Sequence, residues 1–341
     1  MKKVIYLKKG GKISLVAPSF GCTTEPYKTR LNVAIDNFKK MGFTVDEGSN
    51  IYLAKNATRS NSPKKCAEEF MDAYRSDSNV IFSVGGGETM CEILPYINFE
   101  EIKNLPFKFF VGFSDNTNLT YTLATISEIP TIYGPCAGSF AFKPYKYDTL
   151  DTLKLLEGKS RATKGYPYWE RYYNDEKNYD PLAESNISEP KKIRTYPTNI
   201  NIDESGRILG GCLDCLQTLC GTRFDKTKEY LEKYKDDGFI WLLESCDLCS
   251  LDIERALFQL KEAGWFKYCK TIIYGRPFHY QEEVLGVDHY KAIKTILSTL
   301  KIPYAIDADF GHFDPSMPFI TGALARVQIK NNNIKIKYLD L

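Results

Sequence analysis

The chain has 341 residues, 45 Lys and Arg against 43 Asp and Glu, a formal net charge of +2 and a 43% hydrophobic fraction. That length supports two ordinary domains with sizeable cores, and so balanced a composition excludes a disordered or fibrous chain. Near-neutrality without a block of like charge leaves no footprint for a nucleic-acid polymer or a membrane surface.

The opening stretch MKKVIYLKKGGKISLVAPSF has basic residues but a broken apolar run, unlike a signal peptide. No run approaches the ~18 apolar residues of a spanning helix. A cytoplasmic protein is therefore expected, and its ten cysteines then read as reduced thiols.

In chain order, KISLVAPS reads as a strand and YKTRLNVAIDNFKKMG as a helix closed by a glycine. NVIFSVGGG is a buried strand running into a glycine turn. FKFFVGFS is another strand, DNTNLTYTLATI the helix after it, and PTIYGP closes the set. Such alternation predicts a parallel sheet covered on both faces. The polar, aromatic, turn-rich stretch YPYWERYYNDEKNYDPLAESNISEPKK breaks the rhythm and reads as a long connection. Beyond it, GRILGGCLDCLQTLCGT reads as strand, glycine turn and helix, GFIWLLES as a buried strand, and LDIERALFQLKEAG as an amphipathic helix ending at Gly264. KTIIYGR and IPYAIDADFGH are further strands, and ARVQIKNNNIKIKYL alternates with period two around an Asn turn, predicting a terminal hairpin. The expected partition is an α/β domain over 1–140, a linker and extended loop over 141–205, and a second α/β domain over 206–341.

Only three histidines are available for acid–base chemistry. His289, in VDHYKAIKTIL, is expected at the surface. His279 follows GRPF at a strand end. His312, in DADFGHFDPSMPF, lies in a loop after a strand, where α/β proteins place their sites. Ser114 sits in FFVGFSDNTNL between strand and helix, so the turn lifts its hydroxyl above the sheet. It serves there either as a helix N-cap or as a nucleophile activated by a base. Gly85, Gly86 and Gly87 let backbone approach a ligand closely, Gly86 being the candidate substrate contact, or simply form a tight turn. Glu244 ends an apolar strand and needs a partner, for which a histidine is suitable; Asp247, Asp307, Asp309 and Asp314 compete for the same role.

Cys212-x-x-Cys215 and Cys246-x-x-Cys249 offer a rival reading, since paired CxxC motifs bind structural zinc. A whole helix and strand separate the pairs, and cysteines occur freely elsewhere. The favoured reading has no metal and no cofactor, with all four thiols dispensable for chemistry.

Taken together, LVAPS, SVGGGETMCEILPYINFEEI, KFFVGFSDNTNL, TIYGP, GRILGGCLDCLQTLCGT, WLLES and IDADFGHFDPSMPFITGA resemble the LD-carboxypeptidase and microcin-immunity family of serine peptidases, in family order and across nearly the whole chain. The resemblance implies a doubly wound, flavodoxin-like amino-terminal domain and a smaller α/β carboxyl-terminal domain. It implies a triad of Ser114, Glu244 and His312, an oxyanion hole from the amides of Gly87 and Asp115, and a homodimer. Two departures stand out: Cys212 replaces a common Asn, and Gly85 begins a segment that is commonly Arg-Gly-Gly. The aromatic stretch from Tyr166 to Tyr179 resembles the microcin-immunity branch, in which a loop Trp stacks on a nucleobase; Trp169 would do so here, or else simply pack at the surface. The implied substrate is a murein tetrapeptide or an aminoacyl- or peptidyl-nucleotide. A zinc-dependent hydrolase and a non-catalytic small-molecule binding protein are the alternatives.

Overall fold

Strand β1 (Lys12–Val16) buries all but its first residue and pairs in parallel with β2 (Thr44–Glu47) on one side and β3 (Val80–Ser83) on the other. The structure, a computed structural model, describes residues 4–56 and 58–341; the basic start Met1–Lys3 and Ala57 lie outside the described residues. Helices α1 (Tyr27–Lys40) and α2 (Pro63–Arg75) connect these strands, followed by α3 (Phe99–Asn104), β4 (Phe109–Gly112), α4 (Thr117–Thr125), β5 (Thr131–Tyr133) and α5 (Tyr147–Leu156). The parallel strands lie in the order β5-β4-β3-β1-β2, which is the flavodoxin-like winding. Its strands are short, near-continuous apolar runs such as VIFS and FFVG, as a sheet covered on both faces requires.

Two compact units divide the chain: residues 1–160 with 172–186, and residues 161–171 with 187–341. The expected linker over 141–205 is therefore structured. It supplies α5 to the first unit and β6 (Ala162–Lys164), β7 (Tyr168–Glu170), β8 (Ile187–Pro190) and β9 (Arg194–Tyr196) to the second. Its segment 172–186 is tied into the first unit, where Arg30 Nε donates to Pro181 O (2.7 Å) and Lys146 Nζ to Ser185 Oγ (3.0 Å).

The second unit continues with β10 (Ile202–Cys212), α6 (Leu213–Leu219), α7 (Thr227–Lys233), β11 (Phe239–Glu244), α8 (Ser250–Glu262) and β12 (Cys269–Arg276). After them come β13 (Glu283–Val284), β14 (Val287–Asp288), α9 (His289–Leu297), β15 (Tyr304–Gly311), β16 (Phe319–Thr321), β17 (Leu324–Lys330) and β18 (Asn333–Tyr338). Its sheet runs β6-β18-β17-β10-β11-β12-β15-β9, with a parallel centre from β10 to β15 and antiparallel flanks. β17 and β18 form the terminal hairpin, turning at Asn331 and Asn332 with φ of 50° and 59°. Two consecutive left-handed residues make the turn whose twist matches the strands, and Asn tolerates that conformation.

One expected turn is absent. Gly210 and Gly211 lie inside β10 (φ 143° and 134°), paired with Leu242 and Leu243 of β11. A Cβ on Gly210 would run into the Leu242 backbone, so these glycines serve strand contact.

Candidate active site

β4 ends at Gly112, and the chain turns through a 3₁₀ segment, Ser114–Asn116, into α4. Ser114 has φ 62°, the left-handed region where a side chain costs about 1–3 kcal/mol and persists only when its surroundings enforce it. Here they do. Ser114 N donates to Tyr133 Oη (3.0 Å). The buried Asp115 carboxylate accepts from Ser19 Oγ (2.6 Å), Met90 N (2.9 Å) and Asn118 Nδ2 (2.9 Å), knotting the loops after β1 and β3 to the start of α4. Burial pushes the Asp115 carboxyl up while those donors pull it down, with a net upward shift. Asn116 Nδ2 donates to Gly85 O (2.9 Å). Gly86 lies so close that a Cβ there would stand 3.5 Å from Ser114 Oγ. Gly86, Ser114 and Asp115 are thus gathered at the carboxyl ends of parallel strands, the region in which open α/β sheets bind ligands. Gly87 (φ 145°) packs beside Ser19.

In the second unit, Glu244 closes β11 and is fully buried. Its Oε2 lies 2.8 Å from His312 Nδ1. An ionised carboxylate only accepts, so Nδ1 carries the proton and neutral His312 keeps Nε2 as its basic atom. Gly311 (φ 123°) ends β15 and turns the chain so that the imidazole meets Glu244. Burial would lower the His312 pKa, but the Glu244 charge and the imidazole's hydrogen bonds to Cys246 and Glu244 outweigh it and raise it well above the usual value. The Cys246 contact was not foreseen: its thiol hydrogen-bonds His312, and burial nevertheless pushes that thiol up. Only the spacing, two residues beyond Glu244, could have signalled it. Asp214, in the first turn of α6, anchors this loop by accepting from Cys246 N (3.2 Å) and Asp247 N (2.8 Å).

Three of the competing acids are set elsewhere. Asp309 pairs with Arg276 and Lys191, Asp307 with Arg194 and Tyr290, and Asp247 is exposed. His279 pairs with Glu282 (2.7 Å). His289, expected at the surface, is instead buried at the start of α9 with Nε2 3.4 Å from Leu248 O. Its place on the apolar face of a packed helix overrides its polarity, and burial lowers its pKa.

None of the ten cysteines is held in a disulfide. Cys212 Sγ donates to Asp214 Oδ2 (3.2 Å) and Cys249 Sγ to Asp252 Oδ2 (3.0 Å), so each pair meets an acid of its own helix. Among the described residues, no group of three or more His, Cys, Asp or Glu could hold a metal ion. Among them, too, no helix is long and apolar enough to cross a membrane.

Trp169, on β7, is half-buried and borders a cavity of about 270 Å³ within the second unit. One ring face lies over the Arg276 guanidinium (4.9 Å), and its ring meets Phe313 (5.0 Å) and Tyr280 (6.0 Å) edge-on. Phe278 links Phe313 (5.0 Å) to His312 (6.0 Å), so two phenylalanine rings run in series from Trp169 to the imidazole.

Residues 13–134 match the LD-carboxypeptidase N-terminal domain and residues 205–327 the LD-carboxypeptidase C-terminal domain. The chain is 27% identical to the Microcin C7 self-immunity protein MccF of Escherichia coli over 319 residues, covering 91% of this chain and 88% of that protein. A solved structure of MccF in complex with aspartyl sulfamoyl adenosine superposes with a TM-score of 0.82 at 22% identity, covering 99% of each chain. Muramoyltetrapeptide carboxypeptidase from Oxalobacter formigenes superposes with a TM-score of 0.70 at 22% identity, covering 96% of this chain and 99% of that one. With both of the family's domains present in order, the chain belongs to the LD-carboxypeptidase family and is a serine-type carboxypeptidase, related to the microcin-immunity proteins.

Proposed function

We propose that the protein hydrolyses the amide of an aminoacyl- or peptidyl-nucleotide with Ser114 as nucleophile, His312 as general base and Glu244 holding the imidazole. The observation that carries this reading is the 2.8 Å Glu244–His312 hydrogen bond, which leaves Nε2 as the basic atom. Ser114 Oγ attacks the carbonyl carbon while Nε2 takes its proton, and the amides of Gly87 and Asp115 receive the oxyanion. Collapse of the tetrahedral intermediate breaks the C–N bond, and His312 returns the proton to the departing nitrogen. Water then attacks the acyl-Ser114 ester, His312 again taking and returning a proton, and the carboxylic acid leaves. Gly86 lines the approach to Ser114.

A nucleotide-bearing substrate is favoured by the aromatic and cationic cavity beside Trp169, which the rings of Phe313 and Phe278 link to His312. MccF itself has been solved with aspartyl sulfamoyl adenosine. The second reading, a murein tetrapeptide cut at its terminal L,D bond, is favoured by the two LD-carboxypeptidase domains. A mass-spectrometric product screen with aspartyl sulfamoyl adenosine and an L,D-tetrapeptide decides between them. Release of aspartate from the first supports the leading reading; release of only the terminal D-residue from the second replaces it. The proposal extends to a homodimer in the cytoplasm, read by light scattering and by cell fractionation.

A further inference from the structure

Arg276 ends β12 and is only 2% exposed. Its Nη2 pairs with Asp309, but its Nη1 is buried with no hydrogen-bond partner. A buried guanidinium N–H without an acceptor is a costly arrangement that calls for a missing one. Arg276 borders the cavity beside Trp169, together with Arg171, Lys192 and Arg194. Against these four cations the lining carries two carboxylates, Glu189 and Asp307. Both are already used: Glu189 takes Arg171 (3.0 Å), and Asp307 takes Arg194. Asp309, behind Arg276, is shared with Lys191 (3.5 Å). The wall is therefore cationic in excess, and its exposed Lys192 adds a flexible donor. Trp169, Tyr280 and Tyr290 supply the apolar surface. A buried arginine with an open donor, further cations and aromatic walls form a site for a flat or apolar group carrying an anion.

We propose that this cavity is an anion-recognition subsite. It binds a phosphate-like or carboxylate oxygen anion of the substrate, with Arg276 Nη1 and Lys192 as donors and Trp169 packed against the attached group. This deepens the function proposed above and rests on it for the word substrate; the binding itself is independent of turnover.

The test is equilibrium binding, read by the fluorescence of Trp169. The other two tryptophans, Trp241 and Trp265, are fully buried, so ligand-dependent change in emission reports mainly on this cavity. Adenosine 5′-monophosphate is compared with adenosine, and an N-acetyl dipeptide acid with its amide, each at low and high salt. The expected result is at least about tenfold tighter binding of one anionic member over its neutral counterpart, weakening with salt. Selectivity for the monophosphate identifies a phosphate source, and selectivity for the peptide acid a carboxylate source. Lys192→Ala should cut the preference by about threefold or more, and Arg276→Gln combined with Asp309→Asn, which removes the buried pair together, should abolish it. Lys192→Ala, at an exposed position, keeps the test decisive where the double variant does not fold. Equal binding of anion and neutral partner, or an unchanged preference in Lys192→Ala, overturns the subsite. Anion-selective binding without hydrolysis of either substrate would overturn the proposed function and leave the subsite standing; hydrolysis without selectivity would do the reverse.

Discussion

Ser114 sits at φ 62° because Tyr133, Asp115 and Asn116 pin the turn around it. Strain of that kind disappears with glycine. Ser114→Gly should therefore abolish turnover while raising stability by about 1 kcal/mol in urea denaturation; lower stability would mean that the hydroxyl, not the backbone, dominates the site's energetics. At His312 the raised pKa has a definite sign. If His312 is the base, as proposed, it works only when neutral, so kcat/KM should climb with pH along a limb lying above the ordinary histidine value of ~6.5. The same shift contributes stability that is complete below ~6.5 and is lost as pH rises through the folded value. Glu244→Gln should bring the limb down and lower kcat by about 10⁴, as expected when a histidine loses its orienting carboxylate; an unmoved limb would detach Glu244 from His312. Cys246 reaches the same imidazole. Cys246→Ala should move the limb a smaller distance downward, and Cys246→Ser should leave it near wild type. From the sequence this thiol reads as dispensable, because which ring nitrogen or sulfur meets across strand ends is a property of how β11 and β15 are each registered on β12, not of local pattern. Glu244 itself was one of five acids that local pattern could not separate; Asp309 meets Arg276 and Lys191, Asp307 meets Arg194 and Tyr290, and Asp247 faces solvent.

Elements with one dominant local signal were legible. β3 and β4 are buried apolar runs, α1 and α8 have one apolar face, and the terminal hairpin turns on two asparagines that accept left-handed backbone. Features governed by neighbours were not: the helix α4 is legible, but its burial is not. α4 is TNLTYTLAT, polar by composition, yet all nine residues are buried. It tolerates this partly because Thr122 and Thr125 return their hydroxyls to the Asn118 and Tyr121 carbonyls of the helix itself. β10 runs straight through Gly210 and Gly211, where a glycine turn is the natural local reading, because β11 approaches too closely for a side chain. Gly210→Ala should accordingly destabilise the protein by more than about 2 kcal/mol, measured as a shift of the denaturation midpoint; a change within about 0.5 kcal/mol would mean that β10 and β11 can separate freely. The stretch 141–205 looked like a connection because its strands are three or four residues long and its turns are many, too little pattern for periodicity to register.

For the whole molecule, the winding β5-β4-β3-β1-β2 and the two matched domains agree with the resemblance carried by GFSD, WLLE and the GH of DADFGH. What no single motif conveyed is the setting of each candidate group: the carboxylate knot of Asp115 under Ser114, and the Arg276 guanidinium beside Trp169, paired with Asp309 through Nη2 and open at Nη1. The two CxxC pairs spend their outer thiols on Asp214 and Asp252. Exhaustive dialysis against a chelator should therefore leave both turnover and the thermal midpoint unchanged; a loss of either that added zinc restores would return the metal reading. The central claim concerns Ser114, and the most direct measurement is the hydrolysis rate of aspartyl sulfamoyl adenosine by the wild-type protein and by Ser114→Ala, with circular dichroism as the check on folding. The account predicts a folded variant slower by about 10⁴ or more; a folded variant that keeps about a tenth of the wild-type rate would contradict it.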